Sequence, residues 1–156
     1  MCVGKALTGG YLTLAAVLCT SEVAAAIGDS ESGALMHGPT FMANPLACAV
    51  AEANLEVLTA SDWPATIARV HDGLSNGLEP ARRLDHVVDV RTLGAVGVIQ
   101  LDRAVEVAQA TQVALDLGVW VRPFRDLLYT MPPYVSTDDD IATICGALVA
   151  AAEAST

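Results

Sequence analysis

Lysine is almost missing from this chain. Lys5 is the only one in 156 residues; the other basic side chains are arginines, and Lys+Arg 8 against Asp+Glu 18 gives a formal charge of -10. So small and outnumbered a basic complement argues against a nucleic-acid partner and against an anionic membrane surface. Aromatic residues are also scarce, at 4%, whereas hydrophobic residues reach 53%. A disordered chain has the opposite balance, so the length and composition fit one compact domain with a real core. The apolar content comes from Ala, Val and Leu, and no run reads as a membrane span. It implies that much surface is covered by something else, such as a partner subunit.

Paired cysteines are missing too. Cys2, Cys19, Cys48 and Cys145 are far apart, with no CxxC and no His at metal-ligand spacing. They read as reduced core thiols of a cytoplasmic protein, with no metal site. A secretory leader is the rival for the opening stretch, with Lys5 as its charge, Tyr11 to Cys19 as its apolar core and Ala24-Ala25-Ala26 before the cut. Thr8-Gly9-Gly10 and Glu22 argue against it.

What is present is a mixed α/β pattern. Leu12 to Cys19 reads as a buried strand, and Ser21 caps a short helix through Ile27. Gly28 to Asn44 is a long irregular loop, of the kind that carries function. Asn44-Pro45 opens a helix with Leu46, Val50, Ala53 and Val57 on its inner face. A second helix runs from about Asp62 with Ile67, Val70, Leu74 and Leu78 inward; Gly73 and Gly77 count against its later turns. Strands follow at Val87–Arg91 and Gly97–Leu101 around Gly94. A helix from about Ala104 to Leu117 ends at Gly118. Two further strands are expected at Val119–Phe124 and Leu127–Met131. Thr137 and Asp140 form a capping box for a last helix that buries Ile141, Ile144, Cys145 and Leu148.

Three places could carry chemistry. Lys5 lies between apolar residues and glycines, without charged neighbours. Such an amine is either an exposed loop lysine or one that desolvation turns into a nucleophile. His37-Gly38-Pro39-Thr40 offers a hydroxyl and loose backbone N–H groups to an anion, or is an ordinary loop; His37 is a candidate base. Arg122 sits in the apolar run Val119-Trp120-Val121-Arg122-Pro123-Phe124, where a guanidinium needs either a ligand anion or an internal acid. Arg125 is the simpler case, explained by a pair with Asp126.

Gly4-Lys5 followed by Thr8-Gly9-Gly10 resembles the lysine segment of the class III aminotransferases, fold-type-I enzymes that use pyridoxal phosphate (PLP). His37-Gly38-Pro39-Thr40-Phe41, with Asn44-Pro45-Leu46-Ala47, is similar to that family's phosphate-contacting loop and following helix. Gly118 to Phe124, Leu128-Tyr129 and Met131-Pro132-Pro133-Tyr134 resemble the segment that separates its members by substrate. The family's aspartate before the lysine, its upstream Gly-Ser phosphate loop, the aromatic that stacks on the cofactor and the aspartate facing the pyridinium nitrogen have no counterpart here.

The resemblance implies the C-terminal part of a PLP-dependent transferase fold. Residues 1–43 would end the large PLP-binding domain, and residues 44–156 would form a linking helix and the small α+β domain. It implies PLP as cofactor, held covalently by Lys5, with Gly38, Pro39 and Thr40 on its phosphate. Arg122, Tyr129 and Gly38 would contact small-molecule substrates at the interface of a homodimer. The implied reaction is amino transfer from S-adenosylmethionine to 8-amino-7-oxononanoate, in biotin synthesis. Ornithine, acetylornithine or γ-aminobutyrate as substrate, or a non-catalytic remnant, are the alternatives.

Overall fold

A computed structural model describes residues 1–155. Two compact units divide the chain, the first Met1–Ser61 and the second beginning at Asp62.

In the first unit, strands β1 (Cys2–Val3) and β2 (Ala16–Val17) pair antiparallel, with Cys2 opposite Val17 and Val3 opposite Ala16. The buried strand expected from Leu12 to Cys19 is therefore reduced to two residues. Its single strand partner is only two residues long, and Tyr11, Val17 and Leu18 stay exposed. Between the strands, Lys5–Thr8 forms one 3-10 turn.

Helix α1 (Ser21–Gly28) includes its expected cap, Ser21, as its first residue, because the Thr20 hydroxyl, not that of Ser21, accepts from the Val23 N–H. Helix α2 (Pro45–Thr59) has the anticipated start: Asn44 Oδ1 accepts from Ala47 N–H at 3.2 Å and Pro45 fills the first turn. Its inner face is not the one expected. Ala47 and Ala51 are buried, whereas Leu46 and Val57 are 65% and 73% exposed. Small side chains face inward because α2 lies close against the 3-10 turn of the lysine segment.

The second unit is a layer of helices on a three-stranded antiparallel sheet in the order β3 (Val87–Leu93), β4 (Val96–Leu101), β5 (Leu127–Thr130). Gly94, at φ 54, takes the hairpin turn between β3 and β4. Helix α3 (Trp63–Leu78) begins at Asp62, whose carboxylate accepts from Ala65 N–H, and buries Val70, Leu74 and Leu78 as the spacing predicts. Helix α4 (Val107–Asp116) starts later than Ala104, and Gly118 follows it at φ 79.

Helix α5 (Asp138–Glu153) carries the complete capping box of Thr137 and Asp140. It buries Ile141, Cys145 and Leu148 against Val70, Leu74, Ile99 and Leu128, with Ile144 partly buried at the edge. The glycines that weakened α3 on paper are what permit this packing. A Cβ on Gly73 would lie 3.0 Å from Ile141 Cγ2, and one on Gly77 would lie 2.6 Å from Cys145 Sγ. Arg69 fastens the same two helices, donating to Asp138 Oδ1 at 2.5 Å and to the Ser136 carbonyl at 2.7 Å.

Of the four expected core thiols, only Cys145 is buried; Cys2, Cys19 and Cys48 are exposed. Cys2 lies on the two-stranded ribbon and Cys19 just after it, both exposed, and Cys48 borders an open cleft between α2 and Leu7, Leu14 and Ala16. Burial among apolar groups pushes the Cys145 thiol up to about 11, which leaves it inert at neutral pH. No described helix is long and apolar enough to cross a membrane.

Candidate functional site

The first unit presents Lys5 on a strained turn. Gly4 is extended, Lys5 itself has φ 51, and Gly9 closes the turn at φ 60, with its N–H on the Ala6 carbonyl. A left-handed φ is costly for a side chain bearing a Cβ, so the surroundings must hold it. They do so through α2. Asn54 Nδ2 donates to the Ala6 carbonyl at 2.9 Å and to the Leu7 carbonyl at 3.3 Å. Thr8 is fully buried, and its hydroxyl donates to the Leu12 carbonyl, fixing the Gly9-Gly10 bend. A Cβ on Gly9 would meet Asn54 Oδ1 at 2.9 Å.

Sequence reasoning missed Asn54. Its signal was an amide on the same helix face as Ala47 and Ala51, seven residues after Ala47. Of the two readings of Lys5, the exposed one describes this chain: the side chain lies at the surface of the turn. It makes no ion pair among the described residues.

The loop of residues 35–44 is exposed throughout. The His37 N–H bonds the Leu35 carbonyl, and the Met42 N–H bonds the Pro39 carbonyl at 2.9 Å, folding Thr40 into a turn before α2. Gly38 has nothing within 4 Å of where a Cβ would be, so no contact in this chain demands a glycine. His37 and Thr40 present their polar side chains unburied.

The second unit holds the other candidate pair. Arg122 and Tyr129 line one cleft of about 320 Å³ with Trp120, Val121, Thr130 and Met131. The strand expected at Val119–Phe124 does not form, and the cleft lies where it would have run. Phe124 pairs with Leu127 through two bonds of 2.9 Å, and the ladder stops after that single bridge. Residues 120–122 then depart from β5, with the Val121 carbonyl taken by the Thr111 hydroxyl at 3.4 Å.

Arg122 is exposed and has no acidic partner among the described residues, so the internal salt bridge is not its role. Arg125 does not pair with Asp126 either. At φ 57 it turns the corner of the hairpin, and the Asp126 carboxylate accepts instead from Gln100 Nε2 at 2.8 Å. That bond, more than any nearby charge, holds the Asp126 carboxyl below its ordinary range.

Residues 1–152 match the Aminotransferase class-III family. The chain belongs to that family. Among class-III relatives, it is 59% identical over 149 residues to adenosylmethionine-8-amino-7-oxononanoate aminotransferase of Mycobacterium leprae, covering 96% of this chain and 34% of that protein. The enzyme of that name from Corynebacterium glutamicum is 56% identical over 152 residues, covering 97% of this chain and 36% of the relative. The chain thus spans about a third of the length of the curated relatives it matches.

Among solved structures, that of the Methanocaldococcus jannaschii enzyme of the same name superposes with a TM-score of 0.84 at 31% identity, over 97% of this chain and 38% of that one. A PLP-bound amine transaminase from an uncultivated Pseudomonas species gives 0.86 at 30% identity, over 99% of this chain and 38% of the other. The mixed helix-and-sheet architecture is therefore that of the class-III transaminases, as the resemblance implied.

Proposed function

We propose that the chain is the lysine-bearing part of an enzyme that moves an amino group from S-adenosylmethionine to 8-amino-7-oxononanoate. One observation carries this reading: the sole lysine stands, without an ion pair among the described residues, on a strained turn that α2 clamps through Asn54. Strain kept at a reactive side chain is a mark of pre-organisation. The names of the relatives support the choice of donor and acceptor.

The residues suit PLP chemically. An aldehyde needs an uncluttered primary amine, and Lys5 is one. A phosphate needs hydroxyl and N–H donors, which Thr40 and the Gly38-Pro39 loop offer. When bound, PLP supplies the electron sink that makes the hydrogen on an amino-bearing carbon acidic.

In this account Lys5 Nζ has two duties. It would hold the cofactor covalently, and as a free amine it would serve as the base and acid that moves a proton at the substrate's amino-bearing carbon. Arg122 receives the acceptor's carboxylate with its planar fork, and Tyr129 walls the same cleft. Gly38 leaves room for substrate beside the phosphate loop. Residues 1–43 would complete a larger cofactor domain, with residues 44–156 as linking helix and small domain. Two copies would share each site, with Thr40 reaching the phosphate held by the other copy.

Titration of the purified chain with PLP, followed by absorption, tests the reading. A new band that S-adenosylmethionine bleaches, and that Lys5→Ala never develops, is the expected result. Bleaching by ornithine or γ-aminobutyrate in place of S-adenosylmethionine would move the protein to another branch of the family. No band at any PLP concentration would leave a non-catalytic remnant.

A further inference from the structure

The two ends of the Lys5 turn are held in different ways. At its far end the Thr8 hydroxyl reaches the Leu12 carbonyl, a local tie within the same loop. The end that carries Lys5 has only the bonds of the turn itself, from Leu7 N–H to the Gly4 carbonyl at 3.1 Å and from Gly9 N–H to the Ala6 carbonyl at 3.0 Å. Among the described residues, Asn54 is the one side chain that hydrogen-bonds it from outside.

That grip needs an amide. One nitrogen, through its two hydrogens, serves two successive carbonyls, those of Ala6 and Leu7. Carbonyl oxygens only accept, so the reversed amide would set Oδ1 against both of them. Nor can the side chain slide along the turn, since a Cβ on Gly9 would already lie 2.9 Å from Oδ1. Asn54 is half-buried on α2, a 15-residue helix whose start Asn44 and Pro45 fix. The turn is therefore held from a regular element, across 48 positions of sequence. The strain that this hold sustains is at Lys5, whose φ of 51 an L residue adopts only under constraint.

We propose that Asn54 is a positioning residue for Lys5: by gripping the Ala6 and Leu7 carbonyls it maintains the left-handed backbone from which the amine is projected. The inference rests on the reading of Lys5 as the cofactor lysine and deepens it. Released from Asn54, Lys5 regains the extended and right-handed regions, which an L residue favours about tenfold over the left-handed one. Only the left-handed fraction then presents the amine as the folded turn does. Apparent affinity for an aldehyde that is also anchored at a second point, as a phosphate-bearing one is, falls by that fraction. The chemistry of the amine itself is untouched, because both Asn54 bonds go to the backbone.

Asn54→Ala, and Asn54→Leu, which keeps the bulk and removes the donors, test this in the intact chain. The intraresidue amide-to-Hα NOE of Lys5, strong at positive φ, should weaken in both variants while the amide signals of the second unit stay native. Labelling by PLP and borohydride is the second readout. The unprotonated Nζ displaces the aldehyde oxygen as water, giving up both its hydrogens. Hydride at the carbon and a solvent proton at the nitrogen then complete a stable adduct. Peptide mass mapping that separates Lys5 from the Met1 α-amine should show half-labelling of Lys5 at about ten times more PLP in either variant. Formaldehyde with borohydride asks only for a free amine, and should methylate Lys5 as fast as in the parent chain. A strong Lys5 NOE or an unchanged PLP requirement in both variants overturns the proposal and leaves Lys5 as the anchor. Equal slowing with formaldehyde assigns Asn54 to the fold alone and overturns it too. No PLP on Lys5 in the parent chain overturns both readings.

Discussion

Asn54 donates to the carbonyl of Ala6 at 2.9 Å, across 48 positions of sequence, and so ties the one lysine turn to helix α2. This contact accounts for the small inner face of α2, the glycine at position 9 and the tolerated left-handed backbone at Lys5. Asn54→Ala removes it and its companion to Leu7. The expected cost is about 1 kcal/mol. Amide hydrogen exchange at Leu7 and Gly9, whose N–H groups bond Gly4 and Ala6, should quicken in the variant. Unchanged protection there would mean that the turn stands on its own.

Two helical glycines should respond to alanine in opposite directions. At Gly77 a Cβ lies 2.6 Å from Cys145 Sγ, so Gly77→Ala forces α3 from α5 and should cost about 1–3 kcal/mol. At Gly146 nothing lies within 4 Å, and Gly146→Ala should stabilise α5 by about 1 kcal/mol. Urea unfolding of the two variants decides. Equal effects would refute the close approach of α3 and α5.

Arg125→Gly should stabilise the second unit by about 1 kcal/mol, since it relieves a left-handed side chain at an otherwise intact turn. Thermal unfolding reads this directly. A fall in melting temperature would show that the guanidinium serves the fold.

Three carboxyls of the second unit sit below their ordinary range. The Thr137 backbone N–H, then its hydroxyl, holds Asp140 down; the Arg103 guanidinium does so for Asp102, and Gln100 for Asp126. A depressed folded pKa adds stability that is complete above the unfolded value, about 3.9 for Asp, and is lost as pH falls through the folded value. The urea midpoint should therefore hold steady down to about pH 4 and drop below it. Asp140→Ala should lower the neutral midpoint and make that drop shallower. An acid limb of unchanged steepness would remove the capping box from the account.

Much of the second unit was legible in the sequence because its signals are local. The spacing of Val70, Leu74 and Leu78, the stop at Gly118 and the Thr137–Asp140 box each specify an element without outside help. The α3 glycines misled, since their reason is a contact with Ile141 and Cys145 that no local pattern encodes. The same holds for Val119–Phe124. Its composition is that of a strand, but the ladder ends at Phe124 and the freed arm borders a cleft.

The inner face of α2 is not legible from hydrophobicity, because close approach to the lysine turn selects alanine and an amide there. Lys5, Thr40, Arg122 and Tyr129 were singled out by residue type and family resemblance. The strain at Lys5 and Arg125 is a backbone property, and neither residue type announces it.

The account centres on the Lys5 amine as the cofactor's anchor. Borohydride reduction of the chain mixed with PLP, followed by digestion and peptide mass mapping, reads that bond at its own residue. The account predicts a reduced adduct on the peptide bearing Lys5, diminished when Asn54 is replaced by alanine. A chain that takes up no label, or takes it up only on the Met1 α-amine when fragment masses resolve the two amines, would contradict it.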